Sequence, residues 1–415
     1  MPSNSKVSII IPIIRPDGAQ KCIDSIKVNA GIPEDKFEIV TDIDHDRIGC
    51  PRMVAKLVEK SKYDLVCFMG DDTTMEPWCL SEAIQLMDRF PDGWGLVGFA
   101  DGTSRKLPTH WLAHKRLLDY LDGEFFSTAY AHCFCDRELM DRAIEIDRYQ
   151  QSTSARITHD HPILKREEIT DPDLQRVYSE EVYGADQKTY YRRKKARLGP
   201  KLGIGLPIVS EMVHRHFFIS YILMQKPDHM LLLPTPTVGQ FASGISAVRN
   251  SIVNQALENG CTHLIMADTD QTYPVDTIAK LLRHNNKPII GTPVHRRYPP
   301  FDPILLRGEM GAYRHVPDEE CYSGKLIPVD ATGTGCVLFN TDVFLSIDSP
   351  WFDETTAPNG KHVGEDIHFC YKCRQAGIEI HVDTSIEIGH LTTYEIKGPF
   401  TYQLFKKLKH FEYIE

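Results

Sequence analysis

No stretch of the 415 residues is apolar for long enough to cross a bilayer. The longest apolar runs, Val7–Ile14 and Phe217–Met224, are far shorter than the roughly 20 residues a spanning helix needs. A basic surplus is missing too: 47 Lys and Arg stand against 57 Asp and Glu, a formal charge of −10. That argues against a protein whose main task is coating phosphate backbones, though it leaves room for a local basic patch. A disulfide framework is also absent. The 11 cysteines are odd in number and scattered, which for a chain of this length reads as reduced thiols. Cys133 with Cys135, and Cys370 with Cys373, lack the second matching pair a zinc site wants, and they read as small buried hydrophobes. The first residues, MPSNSKVSIIIPII, contain no separate apolar segment followed by a small-residue cleavage site. The expectation is a cytoplasmic protein without stable membrane insertion.

What the chain does contain is itself, twice. Lys6-Val-Ser-Ile-Ile-Ile-Pro-Ile-Ile14 matches Lys201-Leu-Gly-Ile-Gly-Leu-Pro-Ile-Val209, with Pro12 and Pro207 in the same place. A proline there cannot donate to a sheet ladder, so each strand should end or lie open at that point. Downstream, Arg52 precedes Asp71 by 19 residues and Arg249 precedes Asp268 by 19. Between them lie helical patterns (Met53, Val54, Leu57, Val58; Ile252, Val253, Ala256, Leu257) and then short apolar strands, Leu65–Met69 and Leu264–Ala267. Alternating strands and helices predict an α/β protein with two tandem Rossmann-like domains, each built on a mostly parallel, doubly wound sheet. The boundary falls near Gly199-Pro200, giving domains 1–197 and 198–415. The basic run Arg192–Lys195 with Arg197 reads as a solvated helix face, with an acceptor-binding patch as the alternative. In such sheets ligands bind beyond the carboxyl ends of the strands, where both copies place acidic loops.

In the second copy that loop is Met266-Ala-Asp-Thr-Asp-Gln271. Two carboxylates at i and i+2 can converge on a hard divalent cation, or they can simply cap a turn or helix. Three further motifs follow. Thr332-Gly-Thr-Gly-Cys336 is either a ligand-approach loop or a tight turn. Gly364-Glu-Asp-Ile-His-Phe-Cys370 opens a helical pattern with two carboxylates, which either complement the helix dipole or supply a general base. Ile386-Glu-Ile-Gly-His390 reads as a strand ending in a histidine, able to complete a carboxylate metal site or to be an ordinary loop residue.

Strand-proline, Arg249-Asn250, Asp-Thr-Asp, Gly-Thr-Gly, Gly-Glu-Asp and Gly-His, in that order over most of residues 201–395, resemble the inverting family-two glycosyltransferases of the GT-A fold. The resemblance implies a metal-dependent transferase that moves a sugar from a nucleotide-sugar donor to an acceptor hydroxyl. It places Pro207, Arg249, Asp268, Gly333 and Gly335 around the donor. It gives Mn²⁺ or Mg²⁺ to Asp268, Asp270 and His390, and makes Asp366 the base, with Glu365 holding the acceptor. A UDP-sugar is favoured by the resemblance alone. The acceptor is a glycan, a polysaccharide or another hydroxyl-bearing molecule, with modified nucleic acid disfavoured by the net negative charge.

The first copy keeps less. Met69-Gly-Asp-Asp-Thr73 retains one carboxylate of the pair in either alignment: Asp71 under Asp268, or Asp72 under Asp270. Pro12, Arg52 and Asp71 are its donor-binding candidates, and Asp72 with His159 or His161 its metal ligands. Ala131–Leu139 occupies the place of Gly-Thr-Gly, and none of Asp136, Glu138 and Asp160 matches Gly-Glu-Asp. The first copy is therefore either a second transferase with a variant base or a degenerate domain that binds acceptor or supports its neighbour.

Other classes fare worse. Gly203-Ile-Gly205 starts a dinucleotide fingerprint that Ile208 breaks, and a P-loop is absent. A nucleotidyltransferase would want a glycine- and arginine-rich loop where Pro207-Ile-Val-Ser210 stands. The remaining rival is a non-catalytic nucleotide-sugar or glycan-binding protein on a degenerate transferase fold. Near the end, Leu404, Phe405, Leu408 and Phe411 form one helical stripe opposite three lysines, expected to pack on its own domain rather than on a membrane surface.

Overall fold

A computed structural model describes residues 5–102, 107–162, 168–210, 212–234, 244–298 and 300–392; the stripe at Leu404–Phe411 lies outside the described residues. The chain divides into two compact units, Met1–Lys194 and Lys195–Glu415.

The first unit is built from β1 (Val7–Ile13), β2 (Phe37–Ile43), β3 (Leu65–Phe68), β4 (Thr73–Met75), β5 (Leu96–Ala100), β6 (Trp111–His114) and β7 (Tyr149–His159). They form one sheet in the order β2-β1-β3-β6-β5-β7-β4. β6 and β4 run against the other five strands. Ile9, Ile11, Cys67, Met69, Val97 and Leu112 bury one face under the helices Pro16–Asn29 and Cys79–Met87. Ile10, Val66 and Trp111, from the alternate positions, are just as fully buried, so the strands read as continuous apolar runs. Met53, Val54 and Leu57 recur at helical spacing and form the buried face of Cys50–Lys60. Pro12 sits where β1 has already parted from β3. The β1–β3 register ends at Ile10, and only β2 continues alongside to Ile13. The strand lies open at its proline on that side.

The second unit begins with β8 (Leu202–Gly205), β9 (Leu231–Leu233), β10 (His263–Ala267), β11 (Gln271–Thr272) and β12 (Ile289–Gly291). A long excursion follows, containing β13 (Leu305–Arg307), β14 (Arg314–His315), β15 (Leu326–Val329) and β16 (Ala331–Thr332). The remaining strands are β17 (Cys336–Asn340), the small hairpin β18 (Thr355–Thr356) and β19 (His362–Val363), β20 (Ile380–Asp383) and β21 (Gly389–His390). The main sheet has the order β15-β20-β12-β17-β10-β8-β9, with β15 and β17 opposed to the other five. Read from the other edge, β9-β8-β10-β17-β12-β20 repeats β2-β1-β3-β6-β5-β7 in order and in direction. β8 ends before Pro207, which is buried in the loop that follows.

The two sheets are thus mixed α/β and mostly parallel, as the alternation of strands and helices predicts. Ile386–His390, expected as one strand, is a two-residue β21 that follows a turn. The basic run is not simply a solvated helix face. On the helix Glu180–Leu198, Arg193 pairs with the buried Glu138 and Lys194 with Asp141.

Candidate active site

In the second unit the loop after β10, the loop before β17 and the helix Glu365–Gln375 converge on one side chain. Arg249 is 4% exposed on the helix Gly244–Glu258. Its Nη2 donates to both oxygens of Asp268 (3.1 and 3.2 Å), its Nη1 to the carbonyl of Thr334 (3.1 Å), and its Nε faces Glu365 Oε1 at 3.4 Å. Three separate motifs of the sequence are therefore tied to one guanidinium, whose planar fork suits two carboxylates at once. Asn250 beside it holds the Trp351–Phe352 backbone, accepting from both N–H groups and donating to the Phe352 carbonyl. Gly335 lies tight against the buried Gln271: a Cβ there would fall 1.9 Å from its Nε2 and would have to displace that side chain. Gly333 lies against Val294 and Thr332–Thr334 are buried, so the Gly-Thr-Gly loop is packed into the floor.

The carboxylates differ by surroundings. Burial raises Asp268, and Arg249 only partly opposes this. Burial and the neighbouring charge of Glu365 push Asp366 up to about 6, against the pull of Arg249. Burial would also raise Asp270, but a hydrogen bond from His390 with the charges of His390 and Arg297 outweighs it and holds Asp270 low. His390 Nε2 lies 3.4 Å from Asp270 Oδ2, its Nδ1 faces the His295 carbonyl at 2.5 Å, and Arg297 reaches the same Asp270 oxygen at 3.0 Å. That second contact fixes the imidazole orientation, as outer partners of metal-binding histidines do.

The first unit has its own cleft, of about 210 Å³, at the corresponding strand ends. Strand register settles the alignment left open above. Gln271 pairs with His390, and Thr73 pairs with His159. The residues just before, Asp270 and Asp72, each accept at the carbonyl from the N–H after the histidine (Leu391, 2.7 Å; Asp160, 2.9 Å). Asp72 therefore stands at Asp270, Gly70 at Asp268 and His159 at His390. Asp71 does something else: its oxygens accept from the backbone N–H groups of Ile14 (2.7 Å) and Arg15 (2.6 Å), and from Arg15 Nε and Nη2. It latches the turn after β1, and its acceptor capacity is used up. Arg52 is not at the site. It is exposed and bonds the Ile48 carbonyl at its own helix start, one position off the buried face that Arg249 occupies. Pro12 lines the cleft.

Three residues change status: His161, His110 and Asp136. His161 lines the cleft but packs edge-on between the rings of His159 and Tyr178. Among the described residues, Asp72, His159 and His110 bring three ligand atoms within 4.8 Å of one another. His110 immediately precedes β6 as Gly335 precedes β17, so the counterpart of the Gly-Thr-Gly loop is Pro108–His110 and not Ala131–Leu139. Sequence reading missed it because that loop is short here and β12–β17 is long. Matching strand order instead of spacing would have found it. The third is Asp136. It is second in the helix Cys135–Glu145, which precedes β7 as Glu365–Gln375 precedes β20. Both aspartates accept from the next backbone N–H (2.8 Å from Arg137, 2.7 Å from Ile367). Burial pushes Asp136 up to about 6 as well. Asp136 thus matches Asp366, with Cys135 replacing Glu365. Asp186 presents this helix by accepting from the N–H groups of Ala131, His132 and Cys133.

Cysteines contribute no metal set among the described residues. Cys133, Cys135, Cys370 and Cys373 are buried, with Sγ contacts to backbone carbonyls for the first three.

No protein family and no curated protein sequence matches the chain. Among solved structures, it is similar to A197 from STIV (12% identity, 48% of this chain and 99% of that one, TM-score 0.32). It is similar as well to the Pyrobaculum calidifontis mannosyltransferase PcManGT in complex with GDP-Man and Mn²⁺ (14%, 47% and 63%, 0.33). A third likeness is to S. aureus TarS 1-349 in complex with UDP-GlcNAc (11%, 46% and 65%, 0.36).

Proposed function

We propose that the chain is a divalent-metal-dependent glycosyltransferase that moves a sugar, with inversion, from a nucleotide-sugar to an acceptor hydroxyl, and that the second unit is a catalytic centre. The observation that carries this reading is the buried Arg249. It ties Asp268, the Gly-Thr-Gly loop and Glu365 into one constellation beside Asp366, with Asp270 and His390 at the same strand ends.

The reaction needs two things of the protein. The leaving nucleoside diphosphate develops charge; a cation held by Asp270 and His390, when bound, neutralises it without a proton donor. The acceptor hydroxyl must lose its proton as its oxygen reaches the anomeric carbon. Asp366, half-ionised near pH 6 and aimed from a helix start, takes that proton. Glu365 beside it holds the acceptor, and Asp268 faces the donor. Arg249 is a positioning residue: it reaches donor only through Asp268. One base and no covalent intermediate suffice for inversion. The first unit, with Asp72, His159 and Asp136 in the places of Asp270, His390 and Asp366, is read as a second transferase centre of altered specificity.

The test is nucleotide release from UDP-, GDP- and TDP-sugars by the purified chain with Mn²⁺, with acceptor panels added. Metal-dependent release from a donor that Asp366→Asn lowers by about 100-fold or more, with any release by the first unit lost in Asp136→Asn, supports the reading. Binding of a nucleotide-sugar or glycan without turnover under any donor would put the binding-protein alternative in its place.

A further inference from the structure

We propose that the outward face of the helix Arg215–Leu223 is the docking surface for the C-terminal segment of the same chain, whose stripe Leu404, Phe405, Leu408 and Phe411 covers it by apolar contact. This goes beyond the transfer reading and does not depend on it.

The surface is unusual for this fold. The helix has nine residues and buries Phe217 on the core side, where its ring meets Tyr273 edge-on at 6.3 Å between centroids. On the opposite side Phe218, Ile219, Ile222 and Leu223 are between 47% and 62% exposed. At about 100° per residue these four share one face, so the patch is contiguous rather than four scattered side chains. The first unit supplies the control. Its helix Pro16–Asn29 lies between β1 and β2 as Arg215–Leu223 lies between β8 and β9. There the outward residues include Asp17, Gln20, Lys21, Asp24 and Lys27, with Val28 the one large apolar side chain exposed on the helix. The topology therefore needs no apolar stripe at this position. The second copy carries it for a reason of its own.

The chain beyond the strand-end histidine differs between the copies in a matching way. After His159 it leads to the helix Glu180–Leu198, whose Tyr190 and Tyr191 are buried. After His390 come residues 393–415, whose sequence sets Leu404, Phe405, Leu408 and Phe411 at helical spacing, away from Lys406, Lys407 and Lys409. Eight residues from Leu404 to Phe411 would rise about 12 Å as a helix, against about 13 Å for the nine of Arg215–Leu223. The described chain also ends beside the surface. Arg215–Leu223 packs on β11, and β11 pairs with β21. Phe217, Tyr273 and Ile388 belong to one buried cluster, against which Leu391 packs. From Thr392, twelve residues reach Leu404, a span of up to about 40 Å when extended. A segment tethered so near meets the face at an effective concentration of roughly millimolar, which places it ahead of free partners. A second copy is a poorer occupant, because four half-exposed side chains fall short of the roughly 800 Å² per partner that a stable dimer buries. A bilayer would have to displace the tethered stripe.

The experiment uses the full chain with a photo-crosslinking side chain at Ile222, irradiated in dilute solution and digested for mass spectrometry. The expected product is an intramolecular link from the peptide holding Ile222 to the peptide holding Leu404–Phe411. Leu408→Glu puts a charge into the stripe. It should lower the yield of that link about tenfold or more and speed amide exchange in Arg215–Leu223 by a similar factor. Lys406→Glu, on the lysine side, should change neither. A link to another segment, a crosslinked dimer in its place, or no crosslink at all overturns the proposal. So does an undiminished yield in Leu408→Glu, with folding verified by circular dichroism. Capture of the parent chain by phosphatidylglycerol vesicles with loss of the internal link gives the face to a bilayer instead, and overturns it too. None of these results bears on the transfer reading, because the outward face of this helix holds none of the residues assigned to it.

Discussion

The two units solve one electrostatic problem with different residues. Each has an aspartate deep at the end of its central strand that needs a cation. In the second unit, Arg249 rises from the helix Gly244–Glu258 and shares its charge between Asp268 and Glu365. In the first, Arg15 comes from the turn after β1 and is divided between Asp71 and Asp72. The first arrangement clamps three loops together and leaves Asp270 to His390 and Arg297. The other welds one turn to one loop and draws Asp72 to the histidines. The same topology therefore does not entail the same site. The lesson is that an acidic loop at the same strand end can serve as a structural latch when its counter-ion comes from another element.

That contrast can be broken experimentally. Asp366→Asn removes a general base and should lower kcat by about 10²–10⁴ while leaving nucleotide-sugar affinity near the parent value. Asp136→Asn should spare that reaction and abolish only one assigned to the first unit. Arg249→Met leaves two half-buried carboxylates without their cation and should cost about 1–3 kcal/mol in urea unfolding of the second unit. Asp71→Ala leaves the Ile14 and Arg15 N–H groups without an acceptor and should cost about 1–3 kcal/mol in the first unit. The pH profile follows from Asp366 at about 6. Protonated, it cannot accept the acceptor's proton, so kcat/KM should fall about tenfold per pH unit below that value and level off above it. The smallest effect belongs to Arg52→Met, within about 0.5 kcal/mol, because Arg52 is exposed. A large loss there would mean that Arg52 and Arg249 do share a role.

Much of this was legible from residue types in order. Pro12 with Pro207, and Met53–Leu57 with Ile252–Leu257, carried the repeat and with it the sheet class. Arg249, Asp268, Gly335 and Glu365 announced themselves because each sits beside a short, recognisable motif. His110 and Asp136 did not. Their significance comes from position relative to strands, since one precedes the antiparallel strand and the other follows a helix start, and neither carries a local pattern. Arg52 misled for the opposite reason: a preserved 19-residue spacing placed it one helix position off the inward face. Spacing along a chain counts residues, whereas facing depends on angle, and one residue on a helix is about 100°.

One feature separates the two sites mechanically. β7 spans 11 residues from its pairing with β5 to its pairing with β4, with a bulge between Gln151 and Arg156, so His159 ends a strand that stays in the sheet on both sides of the bulge. In the second unit that strand is cut: β20 stops at Asp383, and His390 rides on a two-residue strand beyond a turn. The expectation is that the strand-end histidine is held more firmly in the first unit than in the second, where His390 lies on a short strand of its own. Slow amide exchange along Ile157–His159, against fast exchange at Gly389–His390, would be the signature of a firm histidine and a yielding one made from one fold.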